Sequence, residues 1–302
     1  MTPFKPTRPI LLAGLLALVL TACSLPSGIG PTRILTLTPS LTLSPTFTPT
    51  VTPIPLELSV NGEGITVTAF EAALARYQQA QTALGITVDI KTATQTVGQD
   101  LIDTLLLGQG AAADRKTVDD ADVKSRIDAL AAQIGGPDAL AAWESAHGYT
   151  GADFLTEMKR QMAAALMRDQ IIASVPTTAE QVHVKQILLY NSDEAQQALG
   201  YLKAGMDFND LAAQYDPVTK GELGWFPRGY LPEAAIEEAA FTLQVGQYSD
   251  VIQTQAGYHI LFLVERAADH LLSPDALLTL QQHALQDWLT QQRNKSTILF
   301  AP

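Results

Sequence analysis

Five consecutive apolar residues, Ile260 to Val264, are the sequence feature that most constrains the fold. An apolar run of this length, without polar alternation, predicts a buried β-strand. Gly257 and His259 stand at the start of this strand. A lone histidine at a strand start is more often a core-edge residue, satisfied by a backbone carbonyl, than a reactive group. Whether His259 has a chemical role therefore depends on the rest of the chain.

The composition indicates a folded protein of two modest domains. The chain has 302 residues, of which 47% are hydrophobic and 17% are charged, and this is enough apolar material to form real cores. The formal net charge is −12, from 31 acidic and 19 basic side chains. Because the chain has no excess of positive charge to attract phosphates, we predict no nucleic-acid partner.

The first 22 residues have the three zones of a secretory signal. Lys5 and Arg8 precede the apolar run Ile10 to Leu20, which is short for a membrane-spanning helix, and "LTAC" follows it. This small-residue site resembles the lipobox of bacterial lipoproteins, which implies cleavage before Cys23 and lipidation of its sulfur. The alternative is an ordinary signal with an incidental cysteine. Cys23 is the only cysteine, so no internal disulfide can form.

Residues 23–55 are predicted to be a tether. The stretch "PTRILTLTPSLTLSPTFTPTVTPIP" is rich in threonine and proline, has few charges and lacks a helical period, which is typical of an extended linker. Together with the signal, it predicts an extracytoplasmic protein. The chain would be lipid-anchored to the outer face of the bacterial cell membrane, or periplasmic.

Residues 56–180 are predicted to be mostly helical. A short strand and a Gly-rich turn precede a helix whose start is marked by Thr68 and Glu71 at capping-box spacing. Asp119 or Asp120 caps a later helix. The stretches "VNGEGITVTAFEAALARY", "GGPDALAAWESAHGYT" and "VPTTAEQVHV" resemble the N-terminal chaperone domain of SurA- and PrsA-type foldases. The periodic apolar residues form either a plain core or a surface that binds unfolded chains.

Residues 181–267 contain a strand, two helices, a turn, a helix and two strands, which is an α+β order. The motifs "GELGWF", "IEEAAF", "GQYSDVIQT" and "GYHILF" follow one another and resemble the parvulin family of peptidyl-prolyl isomerases. The resemblance implies a small antiparallel sheet wrapped by helices. It also implies that the strands beginning near Val182 and Tyr258 are central neighbours, and that His259 lies in an active site. The predicted fold class is therefore α+β, a mostly helical SurA-like domain followed by a parvulin domain.

The parvulin resemblance implies an apolar slot for the proline ring. It assigns this slot to Leu223, Leu231 and Ile236, with Phe241 at the end of the "IEEAAF" motif. The interval from Leu231 to Ile236 is one residue longer than in the family.

The resemblance also implies a set of polar catalytic residues, Asp216, Thr254 and His259. The family usually carries a second histidine before "IL" in the first strand, where this chain has Gln186. Glutamine can donate and accept hydrogen bonds but does not titrate. His183 could replace Gln186 only through a bulge, because three residues along a strand reverse the face.

The expected chemistry needs neither a cofactor nor a metal. Amide resonance opposes rotation about a peptide bond with a barrier of roughly 18–20 kcal/mol, and at proline the two isomers differ by only about 0.5–1 kcal/mol. A catalyst needs an apolar slot and hydrogen-bonding groups that favour the twisted amide. The implied partners are unfolded or partly folded exported polypeptides with Xaa-Pro bonds.

Two further segments complete the prediction. The loop "YNSDEAQQ" at residues 190–197 has no basic cluster to pair a phosphate, so we predict no preference for phosphorylated substrates. In residues 268–302, Ser273 and Pro274 begin a helix with a wide apolar stripe, which in SurA-type proteins packs on the N-terminal domain. His270 and His283 are expected to be solvated residues at helix ends.

Two functions remain open at this point. The first is a membrane-anchored peptidyl-prolyl isomerase that assists folding of exported proteins. The second is a holdase chaperone, whose isomerase module binds extended segments without turnover. Gln186 favours the holdase, whereas "GELGWF", Asp216 and His259 favour the isomerase. A solute-binding lipoprotein is a third class, but the chain lacks the alternating α/β pattern of that class.

Overall fold

A computed structural model describes residues 55–301 of the chain. The predicted signal, Cys23 and the predicted tether up to residue 54 lie outside the described residues. The elements are β1 (Leu56–Val60), β2 (Glu63–Thr66), α1 (Val67–Ala83), α2 (Ile90–Ala113), α3 (Asp120–Ile134), α4 (Pro137–Ala146), α5 (Gly151–Ala173), β3 (Thr178–Leu189), α6 (Ser192–Lys203), α7 (Phe208–Tyr215), β4 (Glu222–Pro227), α8 (Ala234–Thr242), β5 (Ile252–Gln253), β6 (Tyr258–Leu271), α9 (Pro274–Lys295) and β7 (Ile298–Phe300). Within residues 55–301, no helix combines the length and the apolar character that crossing a membrane requires.

The helical region, α1 to α5, is built around the aliphatic side chains of α2. Leu101 and Leu105 are buried against Phe70 of α1 and against Ile65 of β2. Burying a side chain of this size contributes roughly 1.5–3 kcal/mol. Aliphatic packing on one long central helix therefore stabilises this region.

The start of α1 differs from the prediction. Thr66 is the N-cap, and its hydroxyl accepts a hydrogen bond from the N–H of Ala69 at 3.1 Å. Thr68 and Glu71 lie inside the helix, so the predicted capping box is wrong. Thr66 and Thr68 stand two residues apart, and sequence spacing alone does not show which of them caps the helix. Of the two candidates for the cap of α3, Asp119 is the residue that caps it.

The chain returns to the helical region at its C-terminal end. Trp288 and Leu289 of α9 pack against the apolar clusters of α2 and α5, and Arg293 forms an ion pair with Asp103 of α2 at 2.6 Å. β7 then pairs with β1 in a three-stranded sheet of order β2-β1-β7. The sequence did not predict β7.

The segment from β3 to β6, for which the resemblance predicts an isomerase module, consists of a four-stranded antiparallel sheet with helices on both faces. Its strand order is β4-β3-β6-β5, so β3 and β6 are the central neighbours, as the resemblance implied. The α+β fold class is confirmed. The pairing of β3 with β6 includes Thr178 and Leu271. β3 therefore begins before residue 181, and β6 ends after residue 267.

The two faces of the sheet explain why β6 is apolar without alternation. Ile187 and Ile260 pack against α6 and α7, whereas Val184, Leu261 and Leu263 pack on the face that α8 covers. A strand covered on both faces has no solvent side that needs polar residues.

The expectation of solvated helix-end positions is wrong for His270, and for His283 it holds only in the exposure of the side chain. His270 lies in β6, which continues past Arg266, and its ring stacks on Trp225 at a centroid distance of 4.3 Å. His283 lies in the middle of α9 rather than at its end.

Candidate active site

Gln186, His259 and Thr254 meet on one face of the sheet. In the β3–β6 register, Leu188 is opposite His259 and Gln186 is opposite Leu261, so Gln186 and His259 are diagonal neighbours on the same face. Gln186 Oε1 lies 2.9 Å from His259 Nδ1, and Thr254 Oγ1 lies 2.9 Å from His259 Nε2. Both ring nitrogens of His259 are thus hydrogen-bonded.

These contacts select one state of the imidazole. Gln186 faces the ring with its amide oxygen, which only accepts, so Nδ1–H is the donor and Nε2 accepts from the Thr254 hydroxyl. That hydroxyl in turn accepts the N–H of Ala256 at 3.0 Å. His259 is 5% exposed, and burial lowers its pKa below the ordinary value of 6.5, against a smaller opposing effect of Glu233. The ring is therefore neutral at pH 7 and fixed in orientation.

A tight turn brings Thr254 to the ring. The N–H of Thr254 donates to the carbonyl of Gly257 at 2.8 Å, which closes the connection between β5 and β6. Gly257 has φ +142°, and a Cβ at this position would lie 2.5 Å from the carbonyl oxygen of Leu189. Only glycine allows the turn to approach β3 this closely.

Asp216 lies at the end of α7 and bonds its own loop. Its carboxylate accepts the N–H groups of Val218 at 3.1 Å and of Thr219 at 3.0 Å, together with the Thr219 hydroxyl. These bonds, the hydroxyl first, lower the pKa of Asp216 below its ordinary value of 3.8. The carboxylate is thus ionised at neutral pH.

Asp216 does not contact His259. It is linked through Gly221 to the hydrogen-bonded residues Gln186, His259 and Thr254, called the polar row below. The N–H of Gly221 lies 3.4 Å from Asp216 Oδ2, and the carbonyl of Gly221 accepts the N–H of Gln186 at 2.7 Å. Gly221 has φ +76°, and a Cβ there would come within 2.1 Å of the Gln186 carbonyl oxygen. The Asp216 loop is therefore pressed directly onto the strand segment that carries Gln186.

The four predicted slot residues belong to one apolar cluster. Ile236 and Phe241 are buried, whereas Leu223 and Leu231 are partly exposed at its edge. Leu261 belongs to the same cluster and projects from β6 on the same face as His259. The polar row and the apolar residues thus share one face of the sheet, and their catalytic and binding roles stay predictions.

Sequence reasoning missed three residues near this site. Ser249 accepts the N–H of Leu261 at 2.9 Å, and Glu233 acts electrostatically on His259. Glu237 accepts three backbone N–H groups from the loop that precedes α8. No local pattern marks them, because their partners are distant in sequence or lie in an irregular loop.

A concave surface lies in the helical region, away from these residues. Two adjoining cavities, of 310 and 410 Å³, both contact Arg76, Leu101, Tyr149 and Glu157. The Arg76 guanidinium lies 4.1 Å from the centre of the Tyr149 ring. Across residues 55–301, no group of three or more His, Cys, Asp or Glu side chains is arranged to hold a metal.

Comparison with known families assigns the isomerase module. Residues 189–265 match the model of the rotamase family, the PPIC-type PPIASE domain. This match falls within predicted residues 181–267 and confirms the predicted isomerase family for that segment.

Two relatives match over longer segments. The foldase protein PrsA of Halalkalibacterium halodurans is 32% identical over 118 residues, which cover 37% of this chain and 32% of that protein. The chaperone SurA of Methylobacillus flagellatus is 30% identical over 146 residues, which cover 41% of this chain and 33% of that protein. The matched segments thus span only about a third of these relatives. The crystal structure of PrsA from Bacillus cereus aligns with a TM-score of 0.43 and 21% identity, over 80% of this chain and 87% of that one.

Proposed function

We propose that this chain, which carries a PPIC-type peptidyl-prolyl isomerase domain in residues 189–265, is a foldase that accelerates Xaa-Pro isomerisation in exported polypeptides. The observation that carries the proposal is the hydrogen-bonded row of Gln186, His259 and Thr254. This row lies on the same face of the sheet as the apolar slot residues.

The physical need for such a catalyst is kinetic. Uncatalysed exchange at proline takes roughly 10–100 s, which is slow enough to delay folding. In the proposed mechanism, the slot formed by Leu223, Leu231, Ile236 and Phe241 holds the proline ring. The fixed polar groups then stabilise the amide when it is twisted and resonance is lost, more than they stabilise either planar form.

The state of the polar row suits a reaction without proton transfer. His259 is neutral and held at both ring nitrogens, so it is a preorganised hydrogen-bonding group. Gln186 maintains this arrangement although it cannot titrate. Asp216 adds an ionised carboxylate in the adjoining loop and bonds the N–H of Gly221, whose carbonyl bonds Gln186. In this proposal His259, Gln186, Thr254 and Asp216 form the catalytic set.

The substrates are proposed to be unphosphorylated. Asn191 caps α6 with bonds to the N–H groups of Asp193 and Glu194, which places two carboxylates at the loop after β3. A phosphate at this loop would meet negative charge. Equal or lower turnover of phosphoserine-proline than of serine-proline peptides is expected, and a measured preference for the phosphopeptide would contradict this assignment.

Anchoring to a membrane through a lipid on Cys23 is proposed from the leader and the lipobox-like site. The protein would then act outside the cytoplasm on chains that have just been exported. Mass spectrometry of the mature N-terminus tests this directly. Cleavage before Cys23 with an acylated cysteine is expected, and an unmodified mature N-terminus at another residue would refute it.

The catalytic proposal is tested with the purified chain, beside His259→Ala and Gln186→His. We expect the wild type to accelerate cis–trans relaxation of Xaa-Pro peptides, His259→Ala to lose most of this rate, and Gln186→His to retain it. If the wild type left the relaxation at its uncatalysed rate, the enzymatic function would be wrong.

The alternative function is a holdase, favoured by Gln186 and by the cavities at Arg76 and Tyr149 in the helical region. A holdase would suppress aggregation of an unfolded protein without changing the rate of proline exchange. The same set of variants separates the two functions, because a pure holdase has no isomerisation rate for His259→Ala to remove.

A further inference from the structure

The loop between β4 and α8 carries Leu231, and its backbone is hydrogen-bonded to one side chain, that of Glu237. Glu237, in the first turn of α8, accepts the N–H of Gly229 at 2.7 Å through Oε1. Its Oε2 accepts the N–H groups of Tyr230 at 3.0 Å and of Leu231 at 3.1 Å. Three consecutive backbone donors therefore converge on a single carboxylate.

This arrangement is stronger than an ordinary loop contact. Hydrogen bonds to an ionised acceptor are about twice as strong as neutral ones, and successive N–H groups pointing to one centre form an anion-binding nest. Gly229 has φ +78°, a left-handed conformation that glycine adopts without strain. The backbone at Leu231 is thereby fixed relative to α8, which also carries Ile236.

A second element, α9, lies near the loop. A Cβ at Gly229 would lie 3.4 Å from Leu280 Cδ2 and 3.8 Å from His283 Nδ1, both on α9. Leu280 and His283 of α9 therefore lie next to the loop at Gly229. Arg228, at the start of the loop, places its guanidinium 4.1 Å from the centre of the Phe241 ring.

We propose that Glu237 is a positioning residue for the proline slot, because its bonds to Gly229, Tyr230 and Leu231 set the distance between Leu231 and Ile236. The inference rests on the proposed isomerase function of the same site. The loop keeps its shape because the carboxylate accepts three of its N–H groups.

The test compares Glu237→Ala and Glu237→Gln with Glu238→Ala in the full chain. Glu238 is the next residue of α8 and is exposed, so it is a matched control for charge and helix propensity. Glu237→Ala is expected to raise KM for an Xaa-Pro peptide by on the order of tenfold with little change in kcat, because the slot binds the ring less well. Glu238→Ala is expected to leave both constants unchanged.

Glu237→Gln gives a graded result and guards against a misfolded alanine variant. Its one amide oxygen can accept the N–H groups of Tyr230 and Leu231, while its NH₂ group cannot accept from Gly229. We expect KM between the wild-type and alanine values. Amide NMR should show faster hydrogen exchange at Gly229 alone in this variant and at all three amides in Glu237→Ala.

The NMR readout also separates this inference from the proposed function. If the wild type has no isomerase activity, affinity for the Xaa-Pro peptide, measured by NMR titration, replaces KM, and a roughly tenfold weakening in Glu237→Ala supports the positioning role. An unchanged KM or peptide affinity in Glu237→Ala would overturn it, as would unchanged exchange at the three amides. Failure of the wild type to bind the peptide at all would also overturn it.

Discussion

The helical region and the isomerase module bury different kinds of side chain. Among the described residues, the buried polar side chains are Thr104 in the helical region and Gln181, Ser249 and His259 in the isomerase module. Burying a polar group is unfavourable unless it is hydrogen-bonded, and the three in the module all have partners. In the helical region, aliphatic packing fills the interior. We infer that changes in the helical core alter stability alone, whereas changes in the module can separate activity from stability.

The largest expected effect is at Gly221, where the module brings two backbone segments into contact. In Gly221→Ala, a methyl group would meet the Gln186 carbonyl oxygen at 2.1 Å, and φ is +76°. We expect the free energy of unfolding to fall by about 4 kcal/mol, measured by urea denaturation. The control Gly200→Ala, in α6 with no atom within 4 Å of the new methyl, should gain about 0.5–1 kcal/mol. Equal stabilities of the two variants would contradict the close contact.

Leu105→Ala tests the helical side of the comparison. Leu105 is 1% exposed at the centre of α2, so its truncation leaves a cavity and should cost about 3 kcal/mol of unfolding free energy. The rate of Xaa-Pro isomerisation by the folded variant should equal that of the wild type. Leu278→Ala, at a side chain that is 53% exposed, should change stability by less than about 0.5 kcal/mol. A large loss of isomerase activity in folded Leu105→Ala would refute the separation.

His259→Ala tests the isomerase module, where activity should fall while the fold is retained. It removes the residue that links Gln186 to Thr254, so kcat/KM should fall by about a hundredfold, equivalent to ~2.7 kcal/mol of transition-state stabilisation. Its circular dichroism spectrum should remain that of the wild type. Retention of wild-type kcat/KM would show that the polar row has no catalytic role.

The smallest effect is the pH dependence of stability. Burial lowers the pKa of His259 in the folded chain below 6.5, so the unfolded chain takes up this proton first as the pH falls. The contribution of the neutral ring to stability is complete above pH 6.5 and decreases as the pH falls through the folded-state pKa. Urea titrations on both sides of pH 6.5 should show this decrease in the wild type and a weaker one in His259→Ala. Identical pH profiles for the two proteins would contradict the assigned neutral state.

The sequence predicted features whose physical cause is local. The apolar run Ile260 to Val264 predicted a doubly covered strand because the pattern of burial follows from side-chain type. Caps such as Asp119 and Ser273 could be predicted because their hydrogen-bond partners lie three residues away. His259 and Gln186 were predicted as neighbours only through the family resemblance, since 73 residues separate them.

The features that the sequence did not predict depend on long-range or irregular contacts. β7 has three residues, and it forms a strand because β1, at the other end of the described chain, offers it an edge. The carboxylate of Asp216 bonds its own loop because that loop folds back on β3 at Gly221. The role of Glu237 depends on a loop conformation that no periodicity specifies.

The most direct test of the central claim is the rate of cis–trans exchange in an Xaa-Pro peptide, measured by NMR exchange spectroscopy with a small amount of the purified chain. Uncatalysed exchange takes roughly 10–100 s. The account predicts much faster exchange with the wild type and a return towards the uncatalysed rate with His259→Ala. Exchange that stays uncatalysed, while the peptide still shifts the resonances of Leu223 and Ile236, would contradict it and indicate a holdase.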